Sequence, residues 1–294
     1  MTQTIFATGA TGLIGSRFVE MFKDKYSVIN LDLTTGVDIT DPSTFQTFFD
    51  QHQDVKVLIH LAAFTDTAKA MAEAGDKNGI CYKVNVIGTK NIAQVCKDRG
   101  IHMIHISTDF VFDGTKVETY TEEDLPSPLD WYGETKAIAE KTVAESGATY
   151  TIARLSYPYR ANYALKPDLV QKIRAKLTNQ SLPPQFSDTT ITPTFVDDLA
   201  IAFDKIIMRG PSGILHLVGS SSHSPYDIAK KVAAHYGFED NIVKEGSLSS
   251  YLESSNRPFA KNVLMSNQKA SKFLDMHFST FEEGLLKLKE QQIS

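Results

Sequence analysis

The segment Gly9-Ala10-Thr11-Gly12-Leu13-Ile14-Gly15 follows the apolar run Thr4–Thr8 and opens an amphipathic stretch, Leu13–Lys23. Three glycines at this place constrain the chain more than any other feature. They permit a tight strand-to-helix turn, close approach by another backbone, and tight packing of helix on strand. Short apolar runs recur at Ser27–Leu31, Val55–Leu61, His102–Ser107 and Thr149–Leu155, and helical periodicity fills the gaps at Pro42–His52, Asn78–Asp98 and Tyr132–Ser146. Strands apolar on both faces and separated by helices describe an α/β fold, a doubly wound parallel sheet. Ligands bind such sheets beyond the carboxyl ends of the strands.

Beyond Leu155 the pattern loosens. Tyr157-Pro158-Tyr159 and Pro183-Pro184 interrupt it on either side of a helical stretch at Asp168–Leu177. Val196–Met208 then reads as a helix and Gly213–Val218 as a strand returning to the sheet, while Pro225–Tyr236 and Thr280–Gln291 are further amphipathic helices. We therefore expect a first domain over 1–155 with a return at about 193–222, and a smaller discontinuous α/β lobe from 156–192 and 223–294. A chain of 294 residues with 42% hydrophobic composition has the material for both.

The formal net charge is −5, and Lys and Arg are scattered among acids, so no basic stripe is present for a nucleic-acid backbone. No apolar run approaches a membrane span, and Met1–Ile5 leads into the first strand without a charged-then-apolar signal region, so a cytoplasmic protein with no membrane partner is expected. Cys81 and Cys96 lack Cys-x-x-Cys spacing or an adjacent His, which predicts buried, reduced thiols and no metal site.

The glycine turn stands where a dinucleotide-binding fingerprint must stand, after a strand and at a helix N-terminus whose free N–H groups suit a pyrophosphate. Its spacing is Gly-x-x-Gly-x-x-Gly rather than Gly-x-Gly-x-x-Gly. Asp32 ends the second strand twenty residues after Gly12, where a carboxylate accepts hydrogen bonds from an adenosine ribose and repels a 2′-phosphate. No Arg follows in Leu33-Thr34-Thr35, so NAD is favoured, with NADP allowed. Asp38 and Ile39 are candidates to flank the adenine, with Asp38 as a turn residue the alternative. Leu61, Ala62 and Ala63 close the third strand with small residues that let backbone lie against a cofactor. Asn85, counted with the cofactor residues, reads by itself as a structural hydrogen-bonder.

Tyr132 and Lys136 stand four apart in Tyr132-Gly133-Glu134-Thr135-Lys136, on one face of a helix. A phenol titrates near pH 10 unaided, and a neighbouring ammonium stabilises its phenolate. Ser107-Thr108 leaves the fourth strand at the same sheet edge as Gly9 and Asp32.

In this order, the glycine turn, His60-Leu61-Ala62-Ala63, Ser107-Thr108-Asp109-Phe110-Val111-Phe112-Asp113-Gly114 and Tyr132-Gly-x-x-Lys136 resemble the extended short-chain dehydrogenase/reductase superfamily, a Rossmann fold. Pro128–Gly133, Pro193–Ala200, Gly213–Leu217 and Arg257-Pro258 are similar to its dTDP-4-dehydrorhamnose reductase branch, so the resemblance spans nearly the whole chain. It implies NAD(P)-dependent reduction of a nucleotide-linked 4-keto sugar. Thr108 takes the place of the catalytic hydroxyl, with Ser107 the alternative, Tyr132 that of the general acid, and Lys136 that of the residue that binds nicotinamide ribose and lowers the tyrosine pKa. Thr11, Leu13, Ile14 and Leu155 join the cofactor residues, and Phe110, Tyr157 and Arg257 the substrate residues, Arg257 for a diphosphate.

The chain departs from the branch at Arg154-Leu155-Ser156-Tyr157, where an Arg-Thr-Ser-Trp-like stretch is usual, and at Asp66–Met71, which replaces an acidic pattern. The resemblance also embraces an NAD-dependent epimerase or dehydratase and a non-catalytic regulatory subunit like that of methionine adenosyltransferase. Members often dimerise through helices corresponding to Asn78–Asp98 and Tyr132–Ser146, which allows a homodimer, with a monomer core the other use of those apolar residues.

Overall fold

The computed structural model describes residues 2–255 and 257–293. Six strands form one sheet: β1 (Gln3–Thr8), β2 (Tyr26–Asn30), β3 (Val57–His60), β4 (His102–Thr108), β5 (Tyr150–Leu155) and β6 (Gly213–His216). Their spatial order is β2-β1-β3-β4-β5-β6. β1 runs parallel to β2 and β3, and β3 to β4, with Phe6 opposite Ile29 and Leu58, and His60 opposite His105. The chain leaves β1 outward to β2 and returns on the other side as β3. That reversal opens a crevice at the carboxyl ends of β1 and β3, and Gly9 and Leu61 stand there.

The apolar runs become buried strands because helices cover them. Phe6, Phe45, Phe49, Leu58, Ile92 and Met103 meet in one core, each at most 1% exposed. Cys81 and Cys96 are buried free thiols, and burial pushes both above the ordinary thiol range.

Two expected helices differ in detail. Pro42–His52 is a 3-10 turn, Pro42–Thr44, followed by a helix, Gln46–Gln51. Asn78–Asp98 begins later and is not uniform: Ile80–Tyr82 leads into a π-helical stretch, Lys83–Gly88, before Thr89–Arg99, which ends at the left-handed Gly100. A π turn inserts one residue into the helix, a feature periodicity does not reveal. Here it carries Asn85.

The chain divides into two compact units. The first comprises the residues to Val111, Pro126–Arg154 and Ala200–Leu215, and the second Phe112–Leu125, Leu155–Leu199 and the residues from His216. Thus 112–125, within the expected 1–155, falls in the second unit, as do 193–199 and 216–222 of the expected return. The second unit has its own core of Tyr159, Ile173, Phe195, Ile228, Val232 and Phe281. It holds two small sheets, Gln185–Phe186 with Glu245–Gly246 and Pro158–Tyr159 with Thr194–Phe195. Among the described residues, no helix is long and apolar enough to cross a membrane.

Candidate active site

The glycine turn closes when Gly12 N donates to Gly9 O at 3.0 Å. Gly9 has φ +67°, and a Cβ there would stand 2.9 Å from Ala62 N, so only glycine allows the two strand ends to approach. Gly15, in the first turn, would bring a Cβ within 2.7 Å of Ala10 Cα. The helix Leu13–Phe22 is entered through Gly12 without a side-chain cap and with no acidic residue in its first turn. A helix start of this kind suits an anion, and no carboxylate there opposes one.

Asp32 caps the 3-10 turn Leu33–Thr35, accepting from Thr34 N at 2.9 Å, and its Oδ2 accepts the Thr11 hydroxyl at 3.0 Å. Burial raises its pKa, but hydrogen bonds from Thr34, Asn30 and Thr11 outweigh this and hold the carboxyl below its ordinary range. A negative charge is therefore fixed beside the glycine turn. Asp38 has the turn role named as its alternative, and Ile39 packs inward. Asp38 Oδ1 accepts Thr40 N and Oγ1 at 2.8 Å, as a turn residue, and Ile39 lies in the core against Gly88. Asn85 is committed to the protein: its Oδ1 accepts Phe64 N at 2.8 Å, and its Nδ2 donates to Phe64 O and Thr135 Oγ1. It ties the loop after β3 to the helix that carries Tyr132, as a structural hydrogen-bonder.

That helix, Trp131–Glu145, starts where Asp130 accepts Gly133 N at 2.7 Å. Its first turn lies on the 3-10 turn Asp109–Val111 that follows β4. Tyr132 and Lys136 are both buried, and Phe110 meets the Tyr132 ring edge-on at 5.5 Å. The Thr108 hydroxyl donates to Asp109 Oδ1 at 2.9 Å and lies near enough to the Tyr132 phenol to act on its pKa. Ser107 Oγ is buried without a hydrogen-bond partner among the described residues. The Asp66–Met71 segment forms most of a short helix, Thr67–Ala72, capped by Asp66, and its Ala70 packs with Cys81, Trp131 and Tyr132.

Burial pushes the Tyr132 phenol well above the usual tyrosine range; the Asp109 carboxylate adds to this and the Thr108 hydroxyl opposes it. Lys136 Nζ donates to Ile106 O at 2.6 Å. Burial brings the Lys136 ammonium down to about 8, against the pull of Glu140. A buried phenol with a second hydroxyl beside it is placed to hydrogen-bond an oxygen that gains negative charge.

Leu155 ends β5, buried. Tyr157 and Arg257 belong to the second unit. Tyr157 has φ +41° directly before Pro158, a conformation that side chains rarely adopt. The Arg257 guanidinium stacks on the Phe259 ring at 4.8 Å, and Phe259 in turn meets Tyr251 at 5.7 Å. Among the described residues, no group of three or more His, Cys, Asp or Glu side chains could hold a metal ion.

The family model described as the RmlD substrate binding domain matches residues 3–293. The chain belongs to that family. Within the extended short-chain dehydrogenase/reductase superfamily, it is 31% identical to a probable low-salt glycan biosynthesis reductase of Haloferax volcanii over 87% of this chain and 86% of the relative. It is 30% identical to a dTDP-4-keto-6-deoxy-D-glucose reductase of Streptomyces niveus, covering 83% and 82%. Among solved structures, a Bacillus anthracis dTDP-4-dehydrorhamnose reductase in complex with NADP superposes with a TM-score of 0.88 at 27% identity, over 99% of this chain and 100% of that one. The parallel sheet and its flanking helices are thus the family's Rossmann-like α/β fold.

Three features of the site escaped the sequence reading. Asp109 was legible only as the residue after Thr108. Glu140 and Arg154 form a buried bidentate pair, Nε to Oε1 at 2.9 Å and Nη2 to Oε2 at 2.7 Å. An Arg inside the apolar run Thr149–Leu155 is a signal in itself, since a buried guanidinium demands a carboxylate. His60 and His105 stack at 5.4 Å in the sheet, where His60 is bonded by Thr8 and Thr89 and neither nitrogen of His105 has a hydrogen-bond partner among the described residues.

Proposed function

We propose that this chain catalyses the NAD(P)H-dependent reduction of a nucleotide-linked 4-keto sugar. The observation that carries this is the placing of Thr108 at the carboxyl end of β4 and of Tyr132 on the helix packed against the turn that follows, with the buried Lys136 ammonium one helical turn on. The glycine turn pressed against Ala62, the uncapped helix start beyond Gly12 and the fixed Asp32 carboxylate fit a nicotinamide dinucleotide. They would hold its pyrophosphate and adenosine ribose.

When bound, the dihydronicotinamide supplies the hydride. As a ketone carbon becomes an alcohol carbon, negative charge grows on its oxygen, and the Thr108 and Tyr132 hydroxyls are the donors for it. Tyr132 transfers its proton to that oxygen and becomes a phenolate, and the Lys136 ammonium favours this anion. General acid catalysis of this kind is worth roughly a hundredfold or more. The preference for NADH is assigned to Asp32, and the diphosphate to Arg257, whose planar guanidinium binds two oxygens at once.

The test is absorbance of NADH and NADPH with the purified protein against a panel of nucleotide-linked 4-keto sugars. Net oxidation with formation of the 4-hydroxy sugar supports the reading. Sugar conversion without net oxidation would assign an epimerase, and neither, with cofactor still bound, a binding subunit.

A further inference from the structure

Lys136 is 3% exposed, and an ammonium so placed needs a counter-charge within the protein. Its ammonium donates to the neutral Ile106 carbonyl. The charged and titratable groups around it come from four elements: Tyr132 and Glu140 from its own helix, Cys81 from the turn Ile80–Tyr82, His105 from β4 and His60 from β3. Cys81 is a thiol pushed upward by burial, Tyr132 is a phenol pushed upward likewise, and both histidines are driven neutral by burial. Glu140 is the one carboxylate among them.

Glu140 stands four residues after Lys136, on the same helix face. It does not swing freely, because Arg154 of β5 holds both of its oxygens, and the two side chains are 6% and 1% exposed. A bidentate fork fixes the carboxylate in position as well as in charge. The pair as a unit is neutral, yet its negative end is the one that acts on Lys136.

We propose that Glu140 is a positioning residue whose carboxylate, clamped by Arg154, serves as the fixed counter-charge of the Lys136 ammonium. The chemistry rests on the role given to Lys136 above. If Lys136 must be a cation beside the Tyr132 phenolate, Glu140 and Arg154 set the pH at which it ceases to be one. Glu140 touches neither reacting atom and acts only through Lys136.

The experiment follows the Lys136 side-chain nitrogen by 15N NMR across pH 6–10 in the full chain, assigned with Lys136→Arg, alongside the pH profile of kcat. Glu140→Gln should lower the Lys136 midpoint by about one pH unit or more, the scale of a nearby buried charge, and move the alkaline fall of kcat the same way. Because Glu140→Gln leaves Arg154 without its carboxylate, the double variant Glu140→Leu/Arg154→Met provides a folded alternative, and it too should lower the midpoint. An unmoved midpoint in either folded variant overturns the proposal. A lowered midpoint in a protein that reduces no sugar of the panel would leave the counter-charge standing and reject the reductase reading instead.

Discussion

The carbonyl oxygen of Phe110 occupies the space where a Cβ on Gly133 would stand. The catalytic helix can therefore lie against the turn after β4 only because position 133 has no side chain, and that contact is what sets Tyr132 beside Thr108. Gly133→Ala must push helix and turn apart, since the obstacle is backbone and cannot rotate away. We expect a destabilisation of about 1–3 kcal/mol in urea unfolding, the cost of overpacking a close contact. Turnover should fall at least about a hundredfold, since the proton donor is displaced by a fraction of an ångström or more. A variant with parental kcat would show that this contact does not position Tyr132.

Tyr132→Phe removes one oxygen from a ring that Phe110 and the Trp131 cluster hold in place. The ring should stay where it is, so cofactor affinity is expected to change less than about threefold while kcat falls a hundredfold or more. Thr108→Val should also lower kcat, by less, as it removes a donor but no transferable proton. Fluorescence titration of NADH and steady-state rates check both. Comparable rates in Tyr132→Phe and the parent would end its assignment as general acid.

Asp32 performs two tasks that one substitution confuses and another separates. Asp32→Ala removes the acceptor of Thr34 N as well as the charge and should cost about 1 kcal/mol through the lost cap. Asp32→Asn keeps an oxygen for Thr34 N while discarding the charge that would repel a 2′-phosphate. We expect both variants to bind NADPH better relative to NADH, by about fivefold in the ratio of dissociation constants, the scale of a partly screened charge pair. Equal ratios in parent and Asp32→Asn would remove its carboxylate from cofactor selection.

The sequence made the β-strand ends and the order Gly9, Asp32, Thr108, Tyr132 and Lys136 legible because each is dictated locally, by a turn, a strand end or a helix face. What it concealed depends on contacts between distant segments. Asn85 is an amide in a helix until the π turn brings it to Phe64 and Thr135, 21 and 50 residues away. Ile39 belongs to the core because Gly88 leaves room for it. The upward shift of the phenol's pKa follows from burial, which spacing alone does not report.

The stacked histidines give the protein a built-in response to acid. Burial lowers His60 to about 3, and His105, which adds the repulsion of Lys136 and His60, also lies well below the ordinary 6.5. Both rings are therefore neutral when folded, whereas an unfolded chain protonates them near 6.5. Between that value and the folded pKa the unfolded state binds more protons, so stability is complete above about pH 6.5 and is lost as pH falls toward 3. By pH 5 each histidine should have withdrawn about 2 kcal/mol. His105→Phe forfeits no hydrogen bond, since neither ring nitrogen has a partner among the described residues, and keeps a flat ring against His60. Its stability at pH 8 should equal or exceed the parent's, and its loss between pH 8 and pH 5 should be smaller by about 2 kcal/mol in urea unfolding. An identical pH slope in the two proteins would mean that His105 does not remain neutral in the folded state.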